Sequence, residues 1–261
     1  MANVVYENFY LSNEVEDQYN SHLDLVRFVT VDNSLVGTAG MKRIIHRYSA
    51  TNGTEKLAKG VGNSKSIEVS YIDEEYVIAL AQNRFTWNDE DAMTDNMLVP
   101  VGMKHAGTDL FNTVNADIFA EFNKATLTHS ASALDFGAIV DSVAKLNMEN
   151  PEGVELFGFV CPLDVATLRK ALKDDLKYVE AFARTGYIGT VGGVHLYTKK
   201  DAVAKTIIIG TREAVTLFNK KGVEVEQERD ANTRVNDVYS RKYYIAALTD
   251  ESKVVKLTIG A

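Results

Sequence analysis

From Met41 to Tyr71 the sequence sets two strand-like runs on either side of a segment too long and too polar for an ordinary connection. Met41–Tyr48 mixes apolar and basic residues. Ser49–Lys65 follows, carrying Asn52-Gly53, Gly60, Gly62 and Asn63, residue types that accept the backbone angles of turns. Ile67, Val69 and Tyr71 then alternate with Glu68 and Ser70, the period of a half-exposed strand. Connections inside compact domains have a median of about 4–6 residues, and longer ones are functional or disordered. The stretch therefore reads as a projecting hairpin with a lysine-bearing tip. Lys56, Lys59 and Lys65 on that tip could pair with a neighbour's acidic turn or simply keep the loop solvated, and the residues alone leave both open.

The rest of the chain mixes helix and strand. Glu75–Trp87 continues as strand, and Asn88-Asp89-Glu90-Asp91 makes an acidic turn. It lacks the central glycine and closing glutamate of a calcium loop, so a solvated turn entering a helix is expected. Met97–Lys124 is the longest predicted helix, with Phe111, Val114, Ile118 and Phe122 on one stripe. Pro100 fits only its first turn, and Gly102 and Gly107 weaken its beginning. A second helix is predicted over Leu134–Leu146, with Phe136, Ile139, Val140, Val143 and Leu146 on one face, stopped by the run from Glu149 to Gly153. Val154–Cys161 reads as a buried strand, and Pro162 opens a third helix carrying Val165, Leu168 and Leu172. Strands follow at Gly192–Thr198, Thr206–Ile209, Val223–Glu226, Tyr239–Leu248 and Val254–Ile259. Helices and strands do not alternate strictly, so the class is α+β and not a doubly wound sheet. Residues 1–24 place Tyr6, Phe9, Tyr10 and Leu11 among polar neighbours, as an extended arm, a short helix or a frayed end would.

No motif for chemistry rises above chance. Cys161 is the lone cysteine; it excludes an internal disulfide and reads as a small buried hydrophobe after an apolar run. His22, His46, His105, His129 and His195 sit at no metal-ligand spacing. Gly102–Thr108 has the outer glycines of a phosphate loop without the lysine that should follow the second. Gly186–Gly193 is glycine-rich but leads into another strand, where a dinucleotide loop needs a helix. No catalytic, cofactor-binding or metal residues are expected, and no cofactor. The formal net charge of −8 gives no general attraction to DNA phosphates. Residues 1–20 lack a signal-peptide series, and no apolar run has the length of a membrane span, so a cytoplasmic site of synthesis is expected.

The order of these elements resembles the major capsid proteins of tailed phages, the Hong Kong 97-type fold, over nearly the whole chain. The resemblance rests on the polar loop between two strands, the long helix after it, the run Gly158-Phe159-Val160-Cys161-Pro162-Leu163 continuing to Leu168–Asp174, and Val223-Glu224-Val225 with its charged turn and the returning strand Tyr239–Ala247. It implies an N-terminal arm (1–24), an extended loop (41–75), a peripheral domain with a spine helix (25–40, 76–130 and 223–249), and an axial domain (131–222 and 250–261). It implies assembly with itself, as hexamers and pentamers, into the icosahedral head shell of a virion made in the host cytoplasm. The shell would enclose DNA without reading its sequence, and no membrane is involved. Lys56, Lys59, Lys65, Tyr6 and Phe9 are the expected inter-subunit contacts. A portal and, since Met1 precedes the arm almost directly, a separate scaffolding protein are expected partners, and no lysine–asparagine cross-link is expected. The alternatives are an encapsulin-type compartment shell, disfavoured by the early position of the loop, and a metabolic enzyme with a site assembled from scattered residues.

Overall fold

The computed structural model describes residues 4–7, 25–148, 153–172 and 189–260. Two sheets and a free-standing hairpin organise them. The first sheet is dominated by two long strands, β11 (Val215–Asp230) and β12 (Val235–Leu248), paired antiparallel around the tight turn at residues 231–234. The region expected as a short strand and a charged turn is thus almost all strand. Its charges are accommodated because Arg241 lies opposite Glu224 across the ladder and pairs both with it and with Glu226, which stands opposite Tyr239. β5 (Ala79–Asn88) flanks β12. On the other side β11 receives β1 (Val4–Glu7), antiparallel, and β2 (Thr30–Asp32), parallel. β11 continues as one strand across residues 222 and 223, but its pairing with β12 shifts register between Asn219 and Glu224.

The hairpin is β3 (Lys42–Ala50) against β4 (Val69–Val77), a two-stranded sheet of its own. The strand predicted over Glu75–Trp87 is therefore two strands with a break at Ile78, whose amide donates to the Met41 carbonyl at 2.8 Å. A short helix, α1 (Asp89–Thr94), precedes α2 (Leu98–Asn123), the long helix that the stripe predicted. Phe111, Val114, Ile118 and Phe122 are all buried. Gly102 does not end the helix. Its missing side chain is needed, because a Cβ there would lie 2.2 Å from the Phe85 ring.

The second sheet follows the order β6 (Leu127–Ala131), β13 (Val254–Ile259), β10 (Thr206–Gly210), β7 (Leu156–Val160), β9 (Val194–Thr198) and β8 (Thr190–Val191). β8 and β9 turn through Gly192 and Gly193, both at positive φ, a geometry that opens hairpins to glycine. The described part of the glycine-rich run, residues 189–193, thus leads through a two-residue strand into a turn between strands, and residues 186–188 lie outside the described residues. Both faces of this sheet are covered, so its central strands read as continuous apolar runs. Phe157, Phe159 and Ile208 face α2 and the first sheet. Leu156, Val160, Ile207 and Ile209 face α3 (Phe136–Ala144) and α4 (Pro162–Ala171). Cys161 is buried and precedes the helix that Pro162 opens.

One expected helical face is corrected. In α3 the buried residues are Ala138, Ile139 and Ser142, while Phe136 and Val140 are exposed. Asp135 caps the helix by accepting the Ala138 amide at 2.8 Å, which fixes the rotation that turns Phe136 outward.

Candidate inter-subunit surface

The hairpin is where this chain departs from a closed globule. Isolated two-stranded hairpins are marginal in water, since neither face has a layer to bury against. Here Ile44, Tyr48, Val69, Tyr71 and Val77 share one face, set by the register that pairs Tyr48 with Tyr71 and Ala50 with Val69. All five are exposed, Tyr48 at 68% and Tyr71 at 60%. Of the strand predicted over Ile67, Val69 and Tyr71, β4 holds Val69 and Tyr71 while Ile67 precedes it, and all three are exposed, facing no core within the subunit. His46 joins the two tyrosines in one cluster, with ring centroids 5.5–6.0 Å apart, and its Nδ1 meets the Asp73 carboxylate across the ladder. Lys42, His46, Asp73 and Glu75 stand on the same face among these five, paired with each other; if each of the five exposes about 100 Å², their roughly 500 Å² of exposed side chain still reaches the size that marks interaction surfaces on single proteins. Its burial would be worth about 12 kcal/mol before the cost of association.

Polar contacts hold the base of the hairpin against the body. Arg47 reaches Glu74 on the partner strand and Glu251 beside the second sheet, and the Thr126 hydroxyl donates to Glu251 at 2.8 Å. Arg43 lies over the Phe218 ring at 4.9 Å, and Lys220 donates to the Thr38 carbonyl. Tyr76, at the inner end of β4, packs among Ile78, Phe218, Ile245 and Ala247. Burial, reinforced by the nearby Glu121 carboxylate, raises the Tyr76 phenol above its usual range. The base is thus fixed while the outer face is left open.

The tip is ordered by its own hydrogen bonds. Asn63 donates to the Gly53 carbonyl at 3.2 Å, and both the amide and the hydroxyl of Ser64 donate to Glu55 at 2.9 Å. The Ser64 amide is the chief reason the Glu55 carboxyl lies below the usual carboxylate range. Gly53 is buried where a Cβ would meet the Ile67 backbone at 2.7 Å. Lys56, Lys59 and Lys65 are exposed and make no ion pair among the described residues. Leu57 and Val61 are exposed beside them. Tyr6 is part of β1, where it pairs with Gln227 of β11. Phe9 lies outside the described residues, as do His22, residues 8–24 of the arm, residues 149–152 and residues 173–188.

The acidic turn is more than solvated. Asp89 accepts from Arg229 at 2.6 Å and from Asn236 at 2.7 Å, fastening α1 to the end of the long β11–β12 hairpin. The Arg229 bond, then the Asn236 bond, hold its carboxyl below the usual range. Asp237 lies low for a similar reason, its main cause being a two-pronged bond from Arg84 at 2.9 and 2.7 Å. These partners come from segments more than a hundred residues away, so no local motif announces them.

No group of three or more metal-binding side chains occurs among the described residues. His195 bonds the Thr190 hydroxyl at 3.0 Å within the β8–β9 hairpin. Gly102–Thr108 lies wholly inside α2, where no phosphate loop can form. A hollow lined by Leu127, Lys145, Leu146, Met148 and Glu251 among others is open to solvent. Among the described residues no helix is long and apolar enough to cross a membrane.

Comparison with known proteins places this geometry. No family model matches the chain. It is 27% identical over 259 residues to the major capsid protein of Staphylococcus phage phiMR11, covering 95% of this chain and 91% of that protein. Among solved structures, a chain from Mycobacterium phage Che8 matches with a TM-score of 0.66 at 17% identity, covering 86% of this chain and 89% of that one. The capsid of an empty GTA particle matches at 0.67 and 14% identity, over 93% and 98%. A virus-like particle from Pyrococcus furiosus matches at 0.66 and 14% identity, over 95% and 97%. The fold is therefore that of the Hong Kong 97-type capsid proteins.

Proposed function

We infer that this chain is the major capsid protein of a tailed phage, a structural subunit of the Hong Kong 97-type fold and not an enzyme, many copies of which build the head shell of a virion. The observation that carries the reading is the open apolar face of the β3–β4 hairpin. A single subunit gives that face nothing to bury against, and a shell gives it a neighbour. Similarity to a major capsid protein along 95% of the chain supports the same reading.

The finer assignment follows from it. Residues 41–75 are the extended loop and 1–24 the N-terminal arm. The first sheet with α2 forms the peripheral domain, and the second sheet with α3 and α4 the axial domain. Subunits gather as hexamers and pentamers about their axial domains in the host cytoplasm, with a scaffolding protein and a portal as partners. Lys56, Lys59 and Lys65 on the loop, and Tyr6 and Phe9 on the arm, reach neighbouring subunits. The acidic balance of the chain, a formal net charge of −8, lets the shell enclose DNA without gripping it, because like charges are repelled.

Particles recovered from cells that make the protein with the rest of its phage are expected to protect long double-stranded DNA from nuclease. Particles holding only folded protein cargo would make the chain a compartment shell of the encapsulin type instead.

A further inference from the structure

We propose that Glu251 is a positioning residue for the projecting hairpin, and that through Arg47 it sets the direction in which the hairpin leaves the subunit. The inference rests on the reading of the chain as a shell subunit and adds the contact that aims the hairpin before any neighbour is met.

On the face of the hairpin away from Tyr48 and Tyr71 stand Arg43, Ile45, Arg47, Ile72, Glu74 and Tyr76, because successive residues of a strand point to opposite faces. The inner part of that face belongs to the body. Ile45 and Tyr76 pack with Ile78, Phe218, Ile245 and Ala247, and Arg43 lies 3.9 Å from Asp32. Outward of Ile45 and Glu74, the hydrogen bonds and ion pairs made among the described residues stay within the hairpin, with one exception, the pair from Arg47 to Glu251. Glu251 is held from the other side. It opens the short helical turn Glu251–Lys253 that leads into β13 of the second sheet. Asp250 caps this turn by accepting the Ser252 amide at 2.9 Å, and Thr126, between α2 and β6, donates its hydroxyl to Glu251 at 2.8 Å. The hairpin itself continues through Ile78 into β5 of the first sheet. The pair therefore ties a hairpin that springs from one sheet to a fixed point beside the other.

A strand rises about 3.4 Å per residue, so Arg47 stands about 20 Å from the exit at Met41, and Lys59 about 60 Å if the chain stays extended to the tip. A displacement at Arg47 is then amplified about threefold at the tip. The restraint is strong enough to aim the hairpin and too weak to hold the fold. The side chains of Arg47 and Glu251 are 24% and 31% exposed, and a pair so placed shifts an equilibrium by no more than about fivefold. Arg47 keeps Glu74 when Glu251 loses its charge, so the pairing inside the hairpin survives. A glutamine at position 251 still accepts from Thr126 through its amide oxygen. The base remains held by Ile45, Tyr76 and the hydrogen bond from Ile78 to Met41. Direction and fold are thus separable at this residue.

Spin labels on Lys59→Cys at the tip and Leu163→Cys on α4, both exposed positions, report the direction of the hairpin in the unassembled subunit, and the native Cys161 is buried and stays unlabelled. Glu251→Gln is expected to widen the distribution of label distances, read by electron double resonance, about twofold. It should lower the yield of closed shells at least threefold on the order of the lost restraint, with the thermal midpoint within about 2 °C of the parent chain. Arg47→Gln should widen the distribution as well, and Arg47→Gln/Glu251→Gln no further than Arg47→Gln alone, because both substitutions remove one contact. Lys253→Gln, on the same turn, is the control and should leave the width unchanged. The proposal is overturned by an unchanged width in Glu251→Gln, by widening that adds in the double variant, or by widening with undiminished shell yield. A midpoint lowered by more than about 5 °C in Glu251→Gln overturns it too, since Glu251 would then hold the fold. The distances are read before assembly. An unchanged width in a chain that still forms shells removes the positioning role alone, and widened distances in a chain whose parent never forms shells keep the contact and remove the shell reading.

Discussion

Removal of Asn52–Gly62 is expected to abolish closed shells while leaving a folded subunit. The deleted residues include Lys56, Lys59, Leu57 and Val61, all exposed, and of the eleven only Gly53 is buried. Inside the subunit the deletion removes the tip's own hydrogen bonds, from Asn63 to Gly53 and from Ser64 to Glu55. Exposed residues contribute within about 0.5 kcal/mol of stability each way, so the thermal midpoint should stay within about 2 °C of the intact chain. The hairpin base remains tied through Arg47, Glu74 and Glu251, and the Thr51 amide can still donate to the Glu68 carbonyl. Electron microscopy and sedimentation of the deleted chain should show small species only. Closed shells of normal yield from this variant would mean that the tip does not hold neighbours together.

Phe159→Ala is expected to cause a large loss of subunit stability. Phe159 is fully buried at the point where the two sheets and α2 meet. Its ring lies 5.3–5.8 Å from those of Phe28, Phe119, Phe122 and Phe157, partly edge to face. Phenylalanine-to-alanine changes in cores cost about 3–5 kcal/mol through forfeited transfer energy and the cavity left behind. In a chain of this size that lowers the thermal midpoint by about 10 °C. Leu163→Ala, at a 70% exposed position on α4, is the control and should shift it by less than about 2 °C. Equal melting of the two variants would contradict the placement of the aromatic cluster at the junction.

Much of this architecture is legible in the sequence because it depends on local pattern. The stripe Phe111, Val114, Ile118, Phe122 marks α2, and Pro162 marks the start of α4. The hairpin has a signal of its own, a basic run at Lys42, Arg43, His46 and Arg47 answered by an acidic run at Asp73, Glu74 and Glu75. Antiparallel pairing across the polar segment brings those runs together as His46 with Asp73, Lys42 with Glu75 and Arg47 with Glu74. What local pattern does not carry is which side faces a core. Ile67, Val69 and Tyr71 alternate as the covered face of a half-exposed strand would, yet stand exposed, since alternation records a surface to be covered without saying by what. Phe136 and Val140 mislead in the same way on α3. The tie from Asp89 to Arg229 and the reach of Arg47 to Glu251 join residues far apart in the chain, so only the folded arrangement reveals them.

The most direct test of the central claim is electron microscopy of the purified protein, sized first by light scattering. The account predicts closed shells, or pentamers and hexamers that close when a scaffolding protein is added. A subunit that stays monomeric under both conditions would contradict it.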